Sequence, residues 1–188
     1  PYIDFIHKVQ MEATGTTISG TALFTNHSKG FGPTVTMRDI VTNYIYPNTL
    51  AVVRVTGEDL RQALEKSANY FSLSADEQLE ISPAFLYPKA QQYNYDMYAG
   101  IEYTIDISLP LGERIRLFTY NGKAIQANDE LEVVINQYRA VGGGNYDMFS
   151  ADKIIKEVTV DMTELIADYF KNHSNIQPET FANFKVIY

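Results

Sequence analysis

The sequence contains no cysteine, which excludes a disulfide framework, a cysteine-bound zinc site and thiol catalysis. Its 15 Lys and Arg residues are scattered and outnumbered by 23 acidic residues, for a net charge of −8. Because a duplex nucleic acid or membrane-surface binder usually shows a basic patch, neither partner is expected. No apolar run approaches the ~20 residues of a membrane span, so no membrane insertion is predicted.

The chain also lacks an initiator Met and a signal peptide, which predicts a piece of a longer protein whose targeting segment lies elsewhere. Tryptophan is absent, but 14 Tyr and 10 Phe make the sequence rich in aromatic residues. Stacking of an aromatic ligand is therefore worth testing. With 45% hydrophobic and 20% charged residues, the composition is that of a globular domain with a sizeable core.

Catalytic and metal-binding motifs are missing as well. His7, His27 and His173 stand in unrelated contexts, and no H-x-x-x-H, H-E-x-x-H, D-x-D or D-x-H pattern occurs. No G-x-S-x-G motif is present, and the glycines at 142–144 are not followed by G-K-[ST]. The residues therefore predict no catalytic group, no metal ligand and no cofactor within this chain.

Hydrophobic periodicity and capping signals predict a mixture of helices and hairpins, which favours a single α+β domain. Residues 72–98 are expected to be irregular, and Asn121-Gly122 is a strong hairpin signal. Helices are predicted over 1–11, from Thr36 to Pro47, from Thr56 and from Asp161; strands are predicted over 17–24, 50–55, 101–107, 114–120, 131–136 and 184–188.

The glycine triplet Gly142–Gly144, flanked by Tyr138 and Tyr146, has two interpretations. It is either a tight turn that needs positive φ angles, or a place where the backbone comes close to a ligand. Taken alone, these residues indicate only an α+β domain with room for a flat ligand.

Two stretches resemble the C-terminal domain of the 5′-nucleotidase family. The first runs from Thr36 through the Tyr46-Pro47-Asn48 turn to the T-G-x-x-L helix start at 56–60, and the second is the 136–146 segment, similar to N-x-x-x-x-G-G-D-G-[FY]. Between them, residues 93–96 and 100–106 resemble the bifunctional 2′,3′-cyclic-nucleotide 2′-phosphodiesterase/3′-nucleotidase branch, whose loop also has Y-R-A and three glycines. The resemblance spans nearly the whole chain.

The resemblance implies a four-layer α/β/β/α fold with mixed sheets over residues 1–188. It implies a bacterial, secreted parent enzyme, located outside the cell, in the cell wall or in the periplasm. A separate N-terminal metallophosphoesterase domain would hold two divalent metal ions and the catalytic His. This domain would bind nucleotides or nucleosides, and alone it is expected to be inactive and monomeric.

The family's functional residues correspond to a few positions of this chain. Two aromatic side chains sandwich the base, and Tyr46 and Tyr138 match them; stacking gains about 1–3 kcal/mol per base contact. The resemblance further implies that Gly142, Gly143 and Gly144 line the ribose side and that Ser19 meets the base edge. The alternative, that both tyrosines belong to the core, stays open from the sequence.

Two departures favour the cyclic-nucleotide branch over the 5′-nucleotidases. Gly144 stands where 5′-nucleotidases have an Asp for the free ribose hydroxyls, which a 2′,3′-cyclic phosphate would occupy. Residues 18–24 contain no Arg, whereas the corresponding family stretch has one for the phosphate. A 5′-nucleotidase domain and a non-catalytic cell-surface binding module stay open as alternatives.

Overall fold

The computed structural model describes residues 1–188 and contains five α-helices and eleven β-strands. The helices are α1 (Tyr2–Thr14), α2 (Met37–Asn43), α3 (Gly57–Ala68), α4 (Gln137–Ala140) and α5 (Met162–Asn172). The strands are β1 (Ile18–Ala22), β2 (Leu50–Thr56), β3 (Phe71–Leu73), β4 (Leu79–Ile81), β5 (Asp96–Ala99), β6 (Glu102–Asp106), β7 (Ile115–Tyr120), β8 (Lys123–Ala124), β9 (Glu130–Asn136), β10 (Ile154–Val158) and β11 (Phe184–Ile187). No helix has the length and apolar character that crossing a membrane would need.

Both predicted threonine caps are confirmed as complete capping boxes. The Thr36 hydroxyl accepts from the Asp39 N–H while the Asp39 carboxylate accepts from the Thr36 N–H, and Thr56 and Asp59 repeat this arrangement. Helix α2 ends at Asn43, earlier than Pro47 would require. The reason is local, because the buried Asn43 side chain bonds to the Asp39 carbonyl and to the backbone of Gly30.

A five-stranded sheet in the order β10-β2-β9-β1-β5 forms the centre of the domain, and only its β1–β9 pair is parallel. Strand β2 is an apolar run buried on both faces, as expected for a strand between two packed layers. One face packs against α1, α2 and α5, with a core of Ile6, Val9, Ala22, Phe24, Ile40, Tyr44, Leu50, Val52, Val134, Met162, Ile166 and Ala167.

The other face of this sheet packs against a second layer. A four-stranded sheet in the order β11-β6-β7-β8 lies there, and α3 contacts strands of both sheets. Strands β7 and β8 are joined at Asn121 and Gly122, both with positive φ, which confirms the predicted hairpin. A single α+β domain with mixed sheets is thus confirmed.

Two parts of the predicted element pattern were wrong. The segment 72–98 contains the β3–β4 hairpin and β5, and β10 was not predicted at all. Strand β5 has only four residues and begins with a buried Asp96, so it shows no alternation of polar and apolar residues. Strand β10 lies at the edge of the sheet and is mostly exposed, and its apolar residues Ile154, Ile155 and Val158 do not alternate with polar ones.

Candidate functional site

Tyr46 and Tyr138 lie at the same end of the five-stranded sheet. Tyr46 precedes β2 and Tyr138 follows β9, and these strands pair antiparallel with Leu50 opposite Asn136. The start of one strand therefore meets the end of the other. Both tyrosines border a cleft of about 360 Å³, which is lined by Phe24, Tyr46, Pro47, Asn48, Lys89, Tyr93, Asn136, Tyr138 and Arg139.

The two predicted tyrosines are not core residues. Tyr46 is 39% exposed and Tyr138 is 56% exposed, whereas the neighbouring Tyr44 is 2% exposed. The edge of Phe24 supports Tyr46, with ring centroids 5.4 Å apart and planes at 73°. Both aromatic side chains are thus accessible at a concave surface, where a flat ligand would cover apolar area.

The glycine loop supports Tyr138, and the contact of Gly142–Gly144 with a ribose stays a prediction. None of its three glycines borders the cavity. The Tyr138 ring lies against Gly143, where an added Cβ would come within 2.6 Å of the ring carbons Cδ1 and Cε1. Gly142 and Gly144 adopt φ angles of +88° and +71°, which glycine takes without the strain that a Cβ introduces.

Gly144 also has a packing reason to be glycine. A Cβ at this position would lie 2.3 Å from Nη1 of Arg139 and 2.3 Å from Oδ1 of Asn94. A side chain here would therefore displace the contacts that hold the loop, independently of any ligand.

The prediction that Ser19 meets a base edge is wrong. Ser19 is completely buried beneath α1, where its hydroxyl bonds to Nδ1 of His7 and accepts from Nε2 of Gln10, both at 2.9 Å. It does not border the cleft. Its burial depends on the packing of α1 over β1, which the local sequence does not reveal.

Several residues of the cleft were not predicted as site residues. Tyr93 and Lys89 come from the segment before β5, and the Lys89 ammonium lies 5.6 Å from the Tyr93 ring centroid. Lys89 has no salt-bridge partner, and no acidic side chain lines the cleft. Asn136 caps α4 by accepting from the Arg139 N–H at 2.8 Å. Of these residues, only Tyr93 lies in a Tyr-rich stretch of the sequence, together with Tyr95 and Tyr98.

Arg139, which also lines the cleft, is half of a buried ion pair. Its Nε and Nη2 donate to the two carboxylate oxygens of Asp96 at 2.7 and 2.9 Å, and both side chains are 3% exposed. Burial opposes the charge on Arg139, but the Asp96 carboxylate outweighs this effect and raises the pKa of Arg139 above its ordinary value. The guanidinium is therefore permanently charged and fully engaged within the protein.

The residues of this chain do not fit a metal site. His7 is buried against Ser19, His173 bonds to Glu12, and His27 is exposed in a loop. No group of three or more His, Asp or Glu side chains comes together anywhere in the chain. This domain therefore offers no cluster of side chains that could hold the two metal ions implied by the resemblance.

Comparison with known families agrees with this architecture. A model described as the C-terminal domain of 5′-nucleotidase matches residues 1–151. The chain belongs to the 5′-nucleotidase C-terminal domain family. The match includes both tyrosines of the cleft, the glycine loop and Arg139.

Curated relatives of this 5′-nucleotidase C-terminal domain are much longer proteins. It is 28% identical over 180 residues to the trifunctional nucleotide phosphoesterase protein YfkN of Bacillus subtilis, covering 89% of this chain and 12% of that protein. It is 29% identical over 167 residues to the 2′,3′-cyclic-nucleotide 2′-phosphodiesterase/3′-nucleotidase of Yersinia enterocolitica, covering 81% of this chain and 26% of that one.

Solved structures share the fold of this 5′-nucleotidase C-terminal domain. A Staphylococcus aureus protein with the provisional name 5′-nucleotidase superposes over 100% of this chain and 36% of its own, with a TM-score of 0.94 and 36% identity. The 5′-nucleotidase precursor of Thermus thermophilus superposes with a TM-score of 0.73 at 17% identity, over 97% of this chain and 34% of its own.

Proposed function

We propose that this domain binds the nucleoside part of a nucleotide in the cleft between Tyr46 and Tyr138. It would serve as the substrate-binding part of a longer 2′,3′-cyclic-nucleotide 2′-phosphodiesterase/3′-nucleotidase. The parent enzyme would hydrolyse 2′,3′-cyclic nucleotides to 3′-nucleotides and then to nucleosides and phosphate, acting outside the cytoplasm. A separate N-terminal metallophosphoesterase domain would supply the two metal ions and the catalytic residues.

The observation on which this proposal rests is the pair of exposed tyrosines that share one cleft. Single exposed tyrosines such as Tyr188 need no explanation, but Tyr46 and Tyr138, exposed at 39% and 56%, border the same concave surface, which is the arrangement of a ligand site. A base between two rings gains apolar burial and stacking, about 1–3 kcal/mol per contact, whichever base it is. The cleft lacks acidic side chains and has a free cation in Lys89, which favours an anionic ligand such as a nucleotide.

Binding is tested by titrating the 188-residue chain with adenosine 3′-phosphate and comparing Tyr46→Ala and Tyr138→Ala. Each substitution is expected to weaken binding by about 1–3 kcal/mol, or about 5- to 150-fold. Tyr188→Ala serves as the matched control, because Tyr188 is 60% exposed and lies outside the cleft. Equal affinities for all four proteins would show that the cleft is not the binding site.

A second candidate is a 5′-nucleotidase, favoured by the 36% identity to the Staphylococcus aureus protein of that provisional name. The absence of Asp at 144 and of Arg in 18–24 argues for the cyclic-nucleotide branch instead. The full-length protein is expected to have a higher kcat/KM for adenosine 2′,3′-cyclic phosphate and adenosine 3′-phosphate than for adenosine 5′-phosphate. The opposite order would establish the second candidate.

The isolated chain is expected to hydrolyse none of these substrates, with Mn²⁺ or with other divalent ions, because it forms no cluster of metal ligands. In the full-length protein, Tyr138→Ala is expected to raise KM for adenosine 3′-phosphate. Hydrolysis of a phosphate ester with a small leaving group other than a nucleoside should change little. An equal loss with both substrates would assign Tyr138 to folding instead of base binding.

A further inference from the structure

The buried Arg139 side chain contacts two segments of the chain, 93–96 and 138–146. These segments provide Tyr93 and Tyr138, two of the aromatic side chains that line the cleft. From α4, beside Tyr138, the Arg139 guanidinium donates to the carbonyl oxygen of Gly143 and, at 3.2 Å, to that of Tyr93. The Asp96 carboxylate, which begins β5, holds the guanidinium from the other side. One side chain therefore contacts the glycine loop behind Tyr138 and the backbone of Tyr93.

The remaining contacts of Arg139 are also with these two segments. Asn94 Oδ1 accepts from Nη1 and Nη2 at 3.4 Å, and the Tyr146 ring lies 3.9 Å from the guanidinium carbon. Tyr146 is itself fixed, because its hydroxyl donates to the carbonyl of Asn94 at 2.9 Å. The loop 138–146 and the segment 93–96 are thus connected by the Arg139 guanidinium and, in addition, by the hydrogen bond from Tyr146 to Asn94.

Stability alone does not explain this arrangement. A buried ion pair loses hydration on folding, and well-packed apolar side chains often stabilise a core equally well. What the pair adds is directionality, because the planar guanidinium fixes several acceptors at defined positions. The acceptors it fixes are the backbone of Tyr93, the backbone behind Tyr138 and the carboxylate of Asp96.

We propose that the Arg139–Asp96 pair positions Tyr93 and Tyr138 relative to each other and thereby determines how tightly the cleft holds a base. Tyr93 then acts with Tyr46 and Tyr138 as a third aromatic contact for the ligand. The affinity part of this inference rests on the proposed nucleotide-binding function. Asp96 does not border the cleft, and the Arg139 guanidinium, although Arg139 is part of the cleft lining, is engaged within the protein; in this proposal the pair acts through the two rings.

A second buried arginine provides the matched control. Arg114 is 8% exposed, and its guanidinium donates to the carbonyls of Ala68, Phe71 and Leu109, none of which borders the cleft. Arg139→Lys and Arg114→Lys each retain the positive charge but lose the planar, forked set of N–H donors that a guanidinium provides. Both are expected to lower the urea midpoint, but only Arg139→Lys is expected to alter the cleft.

Two measurements report on the cleft: its affinity for a nucleotide and the positions of its tyrosine rings. Affinity for adenosine 3′-phosphate is measured by calorimetry, and Arg139→Lys is expected to weaken it about 10-fold, since stacking on two rings is impaired. The ring resonances of Tyr93 and Tyr138, assigned by NMR with ring-labelled tyrosine, report their positions without any ligand. They are expected to shift in Arg139→Lys and to stay unchanged in Arg114→Lys.

If Arg139→Lys does not fold, the double variant Asp96→Leu/Arg139→Met replaces it, because removing both charges leaves no uncompensated charge in the core. Unchanged ring resonances in a folded variant at this pair would overturn the inference. If the unsubstituted chain binds the nucleotide, an unchanged affinity in the folded variant would also overturn the inference. If the ring resonances shift in the variant but the unsubstituted chain binds no nucleotide, the proposed function is refuted and the positioning of the two rings is established.

Discussion

Replacing Gly143 by alanine tests whether the glycine loop sets the position of the Tyr138 ring. A Cβ at Gly143 would lie 2.4 Å from the Tyr138 carbonyl oxygen and 2.6 Å from two ring carbons. Ordinary van der Waals contact begins near 3.4 Å, so the loop and the ring must separate by about 1 Å. The hydrogen bond from the Gly143 N–H to the Tyr138 carbonyl, now 3.0 Å, would stretch with them.

The magnitude of the effect follows from this displacement. Overpacking of this kind costs about 1–3 kcal/mol of the free energy of unfolding. A gap of up to about 1 Å forfeits about a quarter to a half of the attraction between two surfaces. If stacking on Tyr138 contributes about 1–3 kcal/mol, half of it corresponds to a loss of about 2- to 12-fold in affinity.

Calorimetric titration with adenosine 3′-phosphate and urea unfolding of Gly143→Ala measure both effects. Gly15→Ala is the control, because Gly15 has a φ of +77°, no neighbour within 4 Å of an added Cβ, and a place outside the cleft. It is expected to lose about 1–2 kcal/mol of stability with no change in affinity. If Gly143→Ala lost stability but kept its full affinity, the Tyr138 ring would not be part of the binding site.

Three further substitutions have definite expected results. Burial lowers the pKa of His7 to about 4, whereas its pKa in the unfolded chain is about 6.5. Between these two pH values the unfolded chain binds a proton at His7 that the folded chain does not. The free energy of unfolding is therefore expected to fall by about 3 kcal/mol as the pH decreases from about 6.5 to about 4. His7→Gln should remove this part of the pH dependence of urea unfolding, and an unchanged difference between about pH 7 and about pH 4 would contradict the burial. Thr56→Ala removes the cap of α3 and should cost about 1 kcal/mol without altering nucleotide affinity, whereas an unchanged urea midpoint would mean that the capping box contributes nothing. Lys89→Gln should weaken adenosine 3′-phosphate binding more at low salt than at high salt, and a loss independent of salt would exclude a role for the charge.

Local signals in the sequence predicted the regular part of the fold correctly. The capping boxes at Thr36 and Thr56 involve residues three apart, and the β7–β8 turn needs only Asn121-Gly122. Strand β2 stands out because it is a run of apolar residues. Strands β5 and β10 were missed because one is four residues long and the other is an exposed edge, so neither shows a clear period.

The residues of the candidate site could be proposed from the sequence only where they resemble a known pattern. Tyr46 and Tyr138 were identified through the resemblance, and the structure brings them to one cleft because β2 and β9 pair there. The burial of Ser19 depends on α1 packing above it. The Arg139–Asp96 pair joins residues 43 positions apart, and no local pattern reveals such a contact.

A crystal structure of the chain with adenosine 3′-phosphate tests the central claim most directly. We expect the adenine ring to lie in the cleft of about 360 Å³, stacked on Tyr46 and Tyr138, with Tyr93 beside it. No cluster of metal-binding side chains from this chain is expected near the 3′-phosphate. An adenine bound at any other surface, with both tyrosines uncovered, would contradict the proposed function.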